Sequence, residues 1–222
     1  GADKTVDDVA YALDEFADLQ EDLGIDKDVD VSLSAYNTAS LSRNEALTKF
    51  LEDPEGEDFT KDDVDMDGRT TVEFEEYYQE LLHARDHGLE AGHNILQMFS
   101  EFHGLGMGYA ATYGWDLTHN ARHSYTGEDG QDYVFTSGHT QSMMAESLQG
   151  TKVLDWYQNN DLDHDDDVRV WGFDSDDKLV IFLGAPDELE GDGEYEIPLE
   201  GLNEVTHVWG ERLDQSVPEN WM

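Results

Sequence analysis

The apolar residues of this chain change their spacing near residue 150, and that change constrains the fold more than any other feature. Before it, Val6, Val9, Ala10, Leu13, Phe16, Ala17 and Leu19 recur every three or four residues through 5–23. That is the stripe of an amphipathic helix, and Gly24 is its expected stop. After it, 168–173, 178–184, 194–199 and 204–209 alternate apolar and polar residues between Asp/Gly turns, as antiparallel strands do. The expected organisation is a helix-rich part over 1–150, an acidic linker over 151–167, and a small antiparallel β-sandwich over 168–222.

Within 1–150 helix and strand take turns. Val31, Leu33 and Ala35 mark a short strand in 30–36. A helix is expected over 40–52, capped by Ser40 or Ser42, and an acid-rich turn over 62–69. The run TTVEF at 70–74 reads as a strand, and 75–103 as helix with a break near Gly88 to Gly92. Met107 to Leu117 reads as a buried strand, 118–136 as a polar loop, and 137–149 as a helix closed by Gly150. This is the rhythm of βα units on a parallel sheet, so the expected class is α/β.

Charge narrows the partners. The chain has 53 Asp+Glu against 12 Lys+Arg, a net −41. Such a surface repels phosphate backbones and anionic lipid, which excludes nucleic-acid and membrane-surface binding and favours cations. No apolar run approaches the ~20 residues that cross a bilayer. An aromatic content of 11% argues against an acidic disordered tail. With no cysteine, disulfides, thiolate nucleophiles and cysteine-based zinc sites are excluded. Two settings fit the acidity: a secreted or cell-surface calcium protein, or the cytoplasm of a salt-loving cell, where a content of only six Lys is expected. No charged leader with an apolar stretch opens the chain, so it reads as mature or trimmed, or as exported by a signal elsewhere.

Three acids have spacing that calcium would use. Asp63, Asp65, Asp67 and Gly68 match positions 1, 3, 5 and 6 of an EF-hand-type loop, which makes calcium the expected cofactor. Position 12 is Phe74 rather than Glu, with Glu73 and Glu75 on either side, and the alternative is a solvated acidic turn. The second cluster, Asp161 to Asp167, lacks the glycine and reads as linker. His83 and His87, like His119 and His123, are four apart, a spacing that can hold zinc. Without an HExxH pattern they read as surface histidines. Tyr109, Tyr113 and Trp115 alternate along the strand expected there, and Tyr109 reads as a core residue.

The string LEAGHNILQMFSEFHGLGMGYAATYGWDL at 89–117, the phrase SMMAESLQGTKVL at 142–154 and the β run at 168–213 together resemble a known family. They are similar to the C-terminal part of (β/α)8-barrel glycoside hydrolases, especially family 39 and its relatives in large secreted calcium-binding bacterial proteins. The resemblance implies the closing βα units of a TIM-barrel-like domain, a polysaccharide as substrate or ligand, and a retaining mechanism. It places Glu73 as nucleophile and Trp115 as the sugar-stacking aromatic, with Tyr113 and His119 beside it. The family's acid/base Glu follows an Asn upstream, but the Asn44-Glu45 of this chain lies in an expected helix. The acid/base residue would then come from a remaining barrel segment or a partner chain. The alternative is a non-catalytic extracellular component that binds calcium, such as a surface-layer, filament or carbohydrate-binding scaffold.

Overall fold

A computed structural model describes residues 2–25, 29–37, 42–64, 71–82, 87–112, 123–127, 129–154, 169–184 and 205–213. The expected helical stripe forms α1, Ala2–Asp22, and Val6, Val9 and Leu13 turn it toward the main core. It ends where the sequence places its stop. Gly24 takes φ +63°, its N–H reaches Glu21 O at 3.0 Å, and Ile25 N–H reaches Gln20 O at 2.9 Å. A side chain at Gly24 would strain this left-handed cap.

Strand β1, Ser32–Tyr36, pairs in parallel with β2, Tyr109–Thr112, in the register Ser32↔Tyr109 and Leu33↔Ala110. Parallel neighbours need a long crossover, and three helices lie between them in sequence. These are α2, Arg43–Glu52; α3, Val72–Leu82; and α4, Leu89–Gly104. Ser42 caps α2, its Oγ accepting Glu45 N–H at 3.2 Å, which selects between the two expected caps. The interruption between α3 and α4 precedes Leu89, so Gly88 caps α4 and Gly92 lies within it. Gly92 is tolerated there because it packs close to Thr136 and Thr140 of the next helix.

Three expectations are corrected. The run at 70–74 is not a strand, since α3 begins at Val72. Thr71 starts the helix by accepting Phe74 N–H at 3.3 Å, and the apolar Phe74, Tyr78 and Leu82 then recur at helical spacing. The stretch expected as loop contains a hairpin, β3, Ser124–Thr126, paired antiparallel with β4, Asp132–Val134. Its strands have three residues each, too short for a period of two to register. The stretch 205–209 forms no strand: Val205, Val208 and Trp209 are exposed and no partner strand pairs with them among the described residues.

Helix α5, Thr136–Ser147, packs along α4, and Thr112 Oγ1 donates to Gln141 Oε1 at 2.8 Å to tie β2 to it. A three-stranded antiparallel sheet follows, ordered β5, Lys152–Val153; β6, Arg169–Asp174; β7, Leu179–Gly184. The chain is thus a mixed α/β protein, with open sheets of two, two and three strands among the described residues. Trp171 and Phe173 of β6 lie in one apolar cluster with Val6, Tyr36, Ile95, Met98, Phe102 and Met144. A second cluster is built by α2 and α3: Ala46, Leu47, Phe50, Val64, Phe74, Tyr78 and Leu82. No described helix is long and apolar enough to cross a membrane.

Candidate functional site

The acid-rich turn expected at 62–69 lies between α2 and α3 in sequence, and the second cluster joins these two helices and takes in Val64. Phe50 sits at the centre, with ring centroids 5.4 Å from Phe59, 5.5 Å from Phe74 and 5.3 Å from Tyr77. At the other end Arg43 forms a two-pronged ion pair with Glu75, one prong at 3.2 Å. Its guanidinium also lies 5.3 Å from the Phe74 ring centre and 5.0 Å from that of Tyr78. The hydrogen bonds it donates to Glu75 hold the guanidinium pKa above its ordinary value.

Asp63 is the first of the expected calcium ligands. Its Oδ2 accepts the Thr60 N–H at 2.8 Å and the Thr60 hydroxyl at 2.5 Å. These bonds hold its carboxyl below the usual carboxylate range, so it stays ionised to lower pH. Val64 beside it is buried in the second cluster, which pins the turn from below while Asp63 faces water. Asp65 and Asp67 lie outside the described residues. Glu73 is exposed on the first turn of α3, where a negative charge favours the helix dipole. It does not stand at a strand end, the setting that the nucleophile reading gave it. Among the described residues no three His, Asp or Glu side chains gather as a metal-binding group.

Tyr113, Trp115 and His119, the expected sugar-binding residues, lie outside the described residues, as do His83 and the acids at 161–167. Tyr109 is described and is exposed, against the expectation of core packing. Two histidines reverse the surface reading. His87 is buried, stacked on Phe135 at 4.2 Å between ring centres, and His123 is buried with Nδ1 2.8 Å from Ser137 Oγ. Both contacts join residues far apart in sequence, so no local spacing could reveal them. In the Arg43–Glu75 pair the two residues are 32 apart, and the only local signal was the scarcity of cations in this chain.

Compared with family models, curated proteins and solved structures, the chain matches none.

Proposed function

We propose that this chain is a non-catalytic, calcium-stabilised component of a structural or adhesive assembly outside the cell. The observation that carries the reading is the α2–α3 unit. Two helices with an apolar cluster of their own, clamped by Arg43 and Glu75, bracket a turn whose Asp63 is already anchored by Thr60. Asp65 and Asp67 follow directly on that turn in sequence. A ligand set without the glutamate at position 12 suits a weak site, in the class of extracellular modules with Kd of about 10⁻⁴–10⁻³ M. Neutralising part of a −41 charge would add to the stabilisation. The retaining-hydrolase reading required Glu73 at the end of a barrel strand, and its position on an exposed helical turn lends that reading no support.

The test is thermal melting with EGTA and with 10 mM calcium. At Kd of about 10⁻⁴–10⁻³ M, binding to the native state alone stabilises by about 1.4–2.7 kcal/mol. For a chain of this size that is a rise of about 3–10 °C. Asp65→Asn with Asp67→Asn should abolish the rise. A melting temperature that responds to molar KCl but not to calcium would replace this reading with one of salt adaptation.

A further inference from the structure

Helix α1 has two apolar seams, and among the described residues only one is packed against the core. Val6, Val9 and Leu13 pack into the main core against α4. A second row, Ala12, Phe16, Leu19 and Leu23, follows the four-three-four spacing of a coiled-coil seam. Leu23 N–H bonds to Leu19 O at 3.1 Å, so helical geometry carries the row to its last member. All four are exposed, Leu19 at 53% and Leu23 at 63%. Exposed large apolar side chains in register along one helix differ from singly scattered ones, which need no explanation.

The flank of this row specifies the occupant. Asp8, Glu15 and Asp22 repeat every seven residues on its outer side, the place where coiled coils carry the charges that choose a partner. Lys4, bridged to Asp8 at 3.4 Å, is the only cation in α1. A second copy packed antiparallel would set acid against acid across the seam, and in either direction two chains of −41 repel one another. An anionic lipid surface is repelled for the same reason. We propose that Ala12, Phe16, Leu19 and Leu23 form a docking seam for an amphipathic helix of another protein that carries Lys or Arg opposite Asp8, Glu15 and Asp22. The apolar row would supply the buried contact, and the acids would set orientation and partner choice.

The experiment is fluorescence anisotropy on the full chain with a labelled 21-residue helical peptide that has Leu at a and d and Lys at e and g. A scrambled peptide of the same composition measures attraction by charge alone. The heptad peptide should bind at least about tenfold tighter than the scrambled one. Leu19→Glu with Leu23→Glu should erase that advantage while leaving the melting temperature unchanged, since both side chains are exposed. Glu15→Lys with Asp22→Lys should shift preference to a peptide bearing Glu at e and g. Equal binding of heptad and scrambled peptides would overturn the proposal, as would an advantage that survives Leu19→Glu with Leu23→Glu. So would a dimer seen by sedimentation and broken by that double variant, because the occupant would then be a second copy.

Discussion

Arg43, the first residue of α2, pairs through both guanidinium prongs with Glu75 in the first turn of α3 and covers the rings of Phe74 and Tyr78. One side chain thus ties the beginnings of two helices across a turn rich in acid. Both partners are partly solvated, so the pair itself contributes modestly, and the ring contact adds to it. Arg43→Ala should lower stability by about 1–2 kcal/mol. Arg43→Lys should recover little of this, because an ammonium cannot form the fork. Melting temperatures of the two variants check the claim.

The second cluster is built without residues of the first, so its loosening should stay local. Phe50 is fully buried, and Phe50→Ala should cost about 3–5 kcal/mol. Hydrogen exchange should quicken at amides of α2 and α3, with amides of α4 and β6 keeping their protection. Equal acceleration in all four elements would show instead that the two clusters unfold as one.

Gly138 lies where α5 meets the hairpin. A Cβ there would collide with Val134 Cγ1 and come within 2.7 Å of His123 O. Gly138→Ala should therefore destabilise by about 1–3 kcal/mol despite the better helix propensity of alanine. Chemical denaturation of the variant measures the balance, and a gain in stability would show that the hairpin yields without cost.

Alkaline titration should show delayed ionisation of Tyr36, Tyr133 and Tyr125, the last raised by desolvation and then by the Asp129 charge. Burial pushes the Tyr36 phenol well above its ordinary range, and it packs edge-on against Phe102 with ring centres 5.5 Å apart. Tyr133 is raised by donating to Asp129 at 2.6 Å, then by desolvation. A raised native pKa stabilises fully below the ordinary phenol value, and the contribution is lost as pH rises through the raised one. Tyrosinate absorbance should show late steps, with Tyr36→Phe removing the latest and Asp129→Asn advancing that of Tyr133. The carboxyls of Asp63 and Asp129 are lowered by their hydrogen bonds, so their contribution is present above the usual carboxylate range and fades as pH falls through the lowered values.

Local signals in the sequence left the α2 cap open between Ser40 and Ser42 but determined the stop of α1, the positions of β1, β6 and β7, and the apolar face of α4. Each depends on neighbours within about one helical turn or one hairpin, which spacing alone encodes. The run around Glu73 was ambiguous by the same logic: five residues with Val72 and Phe74 two apart suit a strand, and α3 prevails because Phe74 and Tyr78 find Phe50 and Arg43 on α2. The burial of His87 and His123, the Arg43–Glu75 clamp and the inclusion of Trp171 in the core of α1 and α4 were all decided by tertiary structure. They join residues remote in sequence, and local periodicity encodes which face is apolar but not what will cover it.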